Sequence, residues 1–133
     1  MSTYLDYFKT YLSPKLQEID LFLKTHEKSD IDPIEVENLL DITRSEIDQI
    51  MRLHELDYIS KHSFFIIMCN GSSDICQLFS REISRKMPNA YSPLDISYIY
   101  QIPYNHVLEA TEKARIDAIT TDNLNELFSY IIL

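Results

Sequence analysis

DPIEVENLLDITRSEIDQIMRLHELDYI, Asp32 to Ile59, is the stretch whose reading decides the fold. Asp32 suits an N-cap, Pro33 the first helical position, and Glu35 follows three residues after the cap. Val36, Leu39 and Leu40 then fall on one side of a short helix. Asp41-Ile42-Thr43 makes a tight turn, and Thr43 caps a second helix with Glu46 at its third position. Ile47, Ile50, Met51 and Leu53 continue the apolar face, while Asp48 and Arg52 stand four apart, the spacing of a surface ion pair.

A later stretch, SPLDISYIYQIPYNHVLEATEKARIDAI, Ser92 to Ile119, lies over the first without a gap. Pro33 meets Pro93, Ile42 meets Ile102, Asp57 meets Asp117 and Ile59 meets Ile119, at a constant offset of 60. Such self-similarity predicts an internal repeat, in which each copy buries its apolar face against a neighbour. The flanks align too: Lys15 to His26 matches DICQLFSREISRK, and Phe64, Ile67 and Met68 match Leu124, Leu127 and Phe128. That match favours a helix over Ser60 to Asn70, with Gly71 as a left-handed stop just past its end. A minor β wing near 58–68 is the alternative, because periodicity does not separate a short buried strand from a buried helical turn. Thr121 reads as the cap of the last helix, and Ser73 starts a helix with Ile75, Leu78, Phe79 and Ile83 inward.

Outside the two stretches, Thr3 to Leu12 sets Tyr4, Tyr7, Phe8 and Tyr11 at helical spacing, a stripe suited to a core or a dimer seam. Pro14 ends that helix or starts the next, in which Leu16, Ile19, Phe22 and Leu23 form one apolar stripe. Lys28 to Asp32 is a polar break, and Met87 to Tyr91, with Pro88, is a linker. The expected organisation is an N-terminal helix over 1–12 and two four-helix units over 13–72 and 73–133, in one compact body.

Composition agrees with an all-α domain. The chain has 133 residues, 45% of them hydrophobic, which is enough for a core. Gly71 is its single glycine, whereas β-rich folds need turn glycines repeatedly. The net charge of −9 sits mostly in 13–72 and repels phosphate at long range. No basic segment precedes an apolar run, and no apolar run approaches the ~20 residues that span a bilayer. A cytoplasmic protein with no membrane partner is therefore expected. Cys69 and Cys76 read as buried free thiols, and His26, His54, His62 and His106 share no ligand spacing, so neither metal nor other cofactor is expected. Asn70-Gly71-Ser72-Ser73 reads as a helix cap, since it lacks the further glycines and the lysine of a phosphate loop. With no nucleophile elbow, paired-carboxylate motif or cofactor fingerprint, the chain is not expected to be an enzyme.

Val36, Leu40, Ile42, Ile47 and Ile50 in the first stretch, and Ile96, Ser97, Tyr100, Ile102, Val107 and Ala110 in the second, stand where the two helices of a helix-turn-helix touch. On these residues the chain resembles the helix-turn-helix family of DNA-binding domains. LLDITRSEIDQIMRLHELDYI is similar to the excisionase and MerR-like branch, and the second copy is closer to the phage-repressor branch. Two departures stand out. The turn position that is often glycine is Asp41 in one copy and Gln101 in the other; Glu37 occupies a position where the family prefers a small residue, as Ser97 is.

The resemblance implies that the second helix of each pair enters the major groove with its exposed N-terminal residues against the bases. These are Thr43, Arg44, Ser45, Gln49 and Arg52 in the first copy and Tyr104, Asn105 and His106 in the second. Arginine reads guanine and glutamine reads adenine, so the first copy carries the apt chemistry, with Asp48 a repulsive neighbour for phosphate. The second copy faces Glu109 and Glu112 outward and has no basic residue until Lys113. Arg81, Arg85 and Lys86 stand as contacts to the DNA backbone. The resemblance further implies a homodimer, because such readers commonly bind paired half-sites. Two functions follow: a DNA-binding transcriptional regulator acting through the first copy, or an acidic adaptor that binds a protein partner and has the shape without DNA affinity.

Overall fold

A computed structural model describes residues 2–27, 30–85 and 89–133. The described chain is all-helical. Its elements are α1 (Tyr4–Tyr7), a π-helical segment (Phe8–Leu12), α2 (Ser13–Thr25), α3 (Pro33–Leu40), α4 (Arg44–Leu53), α5 (Lys61–Asn70), α6 (Asp74–Ile83), α7 (Pro93–Tyr100), α8 (Tyr104–Ala114), a 3-10 turn (Thr121–Asn123) and α9 (Leu124–Ser129). Two isolated antiparallel bridges, Thr3 with Ile132 and Tyr91 with Ile119, are the nearest approach to β structure among the described residues. In place of a wing near 58–68 stands α5, capped by Ser60 on the Ser63 N–H at 3.1 Å, with Phe64, Ile67 and Met68 buried. Lys28 and Ser29 of the polar break, Met87 and Pro88 of the linker, and Lys86 lie outside the described residues.

The chain divides into two compact units: a central one, Lys15–Ser80, and a split one, Met1–Pro14 with Arg81–Leu133. In the central unit Val36, Leu40, Ile47, Ile59, Phe64 and Ile67 form the dry core. Its polar ties secure helix ends whose carbonyls have no partner within their own helix. Lys15 Nζ donates to the Asn38 carbonyl at 2.6 Å and pairs with Asp41 at 3.3 Å, so one ammonium serves the end of α3. Ser73 Oγ donates to the Leu40 carbonyl at 2.5 Å.

In the split unit an aromatic cluster joins the aliphatic core of Ile96, Ile99, Val107 and Leu127. Phe128 is met edge-on by Tyr4 at 4.8 Å and Tyr100 at 5.0 Å, with Phe8 tilted at 5.1 Å, in the geometries that π quadrupoles favour. The Tyr4 N–H donates to the Ile131 carbonyl at 2.7 Å, which anchors the start of α1 to the residues after α9. Helical backbone runs from α1 into α2 through the π-helical segment, where the Ser13 N–H reaches back to the Phe8 carbonyl. Pro14 follows at the second residue of α2 and has no N–H to give; the widened turn before it absorbs that missing donor.

The same backbone devices recur sixty residues apart. Asp32 and Ser92 cap α3 and α7, and Pro33 and Pro93 occupy their first turns. Asp41 and Gln101 end those helices in the left-handed region, at φ 55° and 56°, and Glu55 and Arg115 do so after α4 and α8, at 56° and 55°. The Ile31 N–H donates to the Ile59 carbonyl at 2.7 Å; Tyr91 does the same to Ile119 at 2.8 Å. Val36 and Ile96, Ile42 and Ile102, Ile47 and Val107, and Ile50 and Ala110 are all buried.

Several expectations are corrected. Gly71 has extended backbone, φ −72° and ψ 156°, not a left-handed one. What it supplies is the absence of a side chain, because a Cβ there would collide with Cys76 Sγ. Leu53 is 74% exposed, since the last turn of α4 carries it about 120° around the helix from buried Ile47. Ile83, the last residue of α6, is 54% exposed. Tyr11 is 66% exposed, although its ring lies 5.2 Å from that of Tyr7. The last helical segment begins one residue early, where the Thr120 N–H donates to Asn123 Oδ1 at 2.8 Å. Cys76 is buried as expected, but Cys69 is only half-buried.

Candidate nucleic-acid interface

α4 is positioned by its own two ends. The left-handed Asp41 turns the chain, Ile42 is buried in the turn, and Thr43 Oγ1 accepts from the Glu46 N–H at 3.2 Å. Glu46 does not reach back to complete a capping box. Its Oε1 accepts from the Ser72 N–H at 3.2 Å, so the first turn of α4 is tied to the loop after α5. Ile47 and Ile50 bury the inner face. The opposite face brings Thr43, Arg44, Ser45, Gln49 and Arg52 together, all of them exposed.

Residues four apart stack along a helix, about 6 Å further on at each step. Arg44, Asp48 and Arg52 therefore form one row, with Ser45 and Gln49 in the row beside it. Asp48 sits between two arginines and pairs with the one before it: Arg44 Nε donates to Asp48 Oδ1 at 3.2 Å. This corrects the expected Asp48–Arg52 pair; a carboxylate one turn from each arginine can serve either. Both partners of the observed pair are more than half exposed, which makes it worth only a few tenths of a kcal/mol, roughly. Arg52 makes no ion pair among the described residues. Ser45, Asp48, Met51, Arg52 and Leu56 line a shallow groove of about 610 Å³ beside this row.

Tyr104, Asn105 and His106 occupy the first turn of α8 and are exposed, but Pro103 precedes them and gives no side-chain cap. Here the row that is Arg44, Asp48, Arg52 on α4 becomes Tyr104, Leu108, Glu112. Tyr104 is 42% and Leu108 36% exposed, so the outer ridge of α8 begins apolar and ends acidic. Leu108 was not singled out from the sequence; its place sixty residues after Asp48 and four after Tyr104 was the available signal. Arg81 and Arg85, expected at the DNA backbone, are engaged within the split unit. Arg81 Nε donates to the Ile99 carbonyl at 2.8 Å; Arg85 pairs with Glu82 at 3.2 Å and lies over the Tyr91 ring at 4.0 Å.

The perturbed titratable groups lie away from both ridges. Burial pushes the Tyr91 hydroxyl up to about 12, reinforced by its 2.9 Å hydrogen bond to Glu82. Burial also raises Tyr4, with Tyr7 next in effect, and Tyr100, with Tyr91 next. Cys76 and Cys69 are raised by burial as well, which favours the protonated thiol at both. Among the described residues no group of three or more His, Cys, Asp or Glu side chains is placed to hold a metal ion. Nor is any helix among them long and apolar enough to cross a membrane. Comparison with protein-family models, with curated proteins and with solved structures finds no match to this chain.

Proposed function

We propose that this chain is a small, non-enzymatic, cytoplasmic regulator that acts by binding, built as a tandem repeat of two helix-turn-helix-like units behind an N-terminal helix. The first unit docks on duplex DNA through α4. The observation that carries this reading is the exposed face of α4, where Arg44, Gln49 and Arg52 follow an N-cap and a left-handed turn whose inner residues are buried. Arginine and glutamine at the start of such a helix present donors and acceptors that match the major-groove edges of guanine and adenine. The recurrence of caps, left-handed residues and buried positions sixty residues on supports the repeat. A homodimer belongs to the same proposal, since two α4 helices would then address paired half-sites.

The test is fluorescence anisotropy of a random-sequence duplex titrated with protein from low to moderate salt. Binding that weakens by about one log unit per log of salt for each phosphate contacted supports DNA docking. A flat trace at the lowest salt removes it.

A second reading has its own observation. The matching ridge on α8 carries Tyr104 and Leu108 on a chain of net charge −9, a surface better suited to a protein than to phosphate. Under that reading the chain is an acidic adaptor with the helix-turn-helix shape and no affinity for DNA. The same flat trace selects it.

A further inference from the structure

The Arg44–Asp48 pair has a consequence for what α4 selects, given the DNA reading above. A carboxylate is an acceptor without a donor, so it repels every phosphate it approaches. In the major groove it finds a partner in the exocyclic amino group of cytosine. Arg44, once released from Asp48, finds its bidentate partner in guanine O6 and N7. Along the row the order is donor, acceptor, donor, at intervals of about 6 Å. In the structure the acceptor holds the first donor, Arg44 Nε to Asp48 Oδ1 at 3.2 Å, while both side chains remain open to solvent.

We infer that Asp48 is a specificity-determining residue of this face, which holds Arg44 off nonspecific phosphate and selects duplexes that present guanine beside cytosine. On an A·T-only duplex, seating α4 breaks the pair, leaves Asp48 facing phosphate without a cytosine amino group, and gives Arg44 no guanine. On a G·C duplex both ends of the broken pair find new partners. Asp48 thus lowers affinity where the sequence is wrong and leaves it nearly unchanged where the sequence is right, which is discrimination by a repulsive element.

The experiment compares wild type with Asp48→Ala on two duplexes of equal length, one of alternating G and C, the other of alternating A and T, at low salt. The expected result is a gain of about tenfold on the A·T duplex and less than threefold on the G·C duplex. The A·T salt slope should steepen by about 0.9, one further phosphate contact. In an Arg44→Ala background the A·T gain should shrink, because no arginine is left to release. Asp48→Asn should move preference toward A·T, since an amide reads adenine. Circular dichroism checks that these exposed substitutions leave the helices intact. An equal gain on both duplexes would overturn the inference and leave a plain electrostatic brake, as would no change on either while wild type still binds. Failure of every variant to bind either duplex removes the DNA reading itself, and the selection by Asp48 with it.

Discussion

The outer ridge of α4 reads Arg44, Asp48, Arg52; sixty residues on, the ridge of α8 reads Tyr104, Leu108, Glu112. Beneath them the inner positions are apolar and buried in both stretches, though their side chains differ in size. Ile47, Val107 and Ala110 are fully buried and Ile50 nearly so, and the turns before both helices are left-handed at almost the same angles. Burial keeps the inner positions apolar, and each core fills around the side chain that it has. The outer positions answer to whatever the surface meets. The two ridges therefore differ in chemistry, one carrying hydrogen-bonding cations, the other an apolar and acidic surface.

The largest expected effect tests the shared inner face. Ile47→Ala should cost about 2–5 kcal/mol of stability, and Val107→Ala less because fewer buried atoms are lost. Urea unfolding measures both, and equal costs would mean that the two cores do not pack alike.

The next prediction separates the units by pH. Tyr4, Tyr91 and Tyr100 all have hydroxyls raised by burial, and all three belong to the split unit. A pKa raised in the folded state contributes stability that is fully present below the unfolded value of 10. For Tyr91 that contribution is lost as pH climbs from there through about 12, and for the other two the loss continues higher. The raised thiols of Cys69 and Cys76 act in the same direction on the central unit, but from only two groups, one of them half-buried. An alkaline titration followed by circular dichroism and tyrosinate absorbance should show helix lost as the buried tyrosines ionise. Full ionisation of all nine tyrosines near pH 10 without loss of helix would contradict this.

Sharper still is the pair of ridge substitutions. Arg44→Ala should cost about 1–3 kcal/mol of duplex affinity and relax base preference, whereas Tyr104→Ala should leave duplex affinity unchanged. If Tyr104→Ala weakens duplex binding as much, the division between the ridges fails.

The smallest effect concerns the two turns. Gln101→Gly should stabilise the chain by roughly 0.5–1 kcal/mol, because glycine adopts φ > 0 without the Cβ penalty. Each change also removes a side-chain tie, an exposed Gln101 hydrogen bond to the Tyr98 carbonyl in one and the Asp41 pair with the mostly buried Lys15 in the other, so Asp41→Gly should gain less. Thermal melts would show whether that order holds.

Much of the helical plan was legible because it rests on local rules. Proline in a first turn, a serine, threonine or aspartate cap and apolar spacing place α3, α4 and α7 without any knowledge of tertiary contacts. What was not legible depends on partners distant in sequence. Glu46 was free by local rules to close a capping box, yet the Ser72 N–H, 26 residues away, takes its carboxylate. Gly71 looked like a left-handed stop, but its reason is the Cys76 sulfur against it. Periodicity also says which face is apolar and not how far the core extends along it, hence the exposed Leu53 and Ile83. On the candidate site, the spacing that set Asp48 one turn from two arginines could not say which of them it would hold.

Cys76 is packed under Gly71, and Cys69 is half-buried; both lie in the central unit, and the split unit has no cysteine. The chain thus carries its own clock for opening in one unit only. Alkylation at Cys69 should be the faster of the two, while alkylation at Cys76 must wait for the loop after α5 to lift or the central unit to open. The ratio of the two rates is a native-state gauge of how often that happens, blind to events confined to the split unit, and it needs no introduced label.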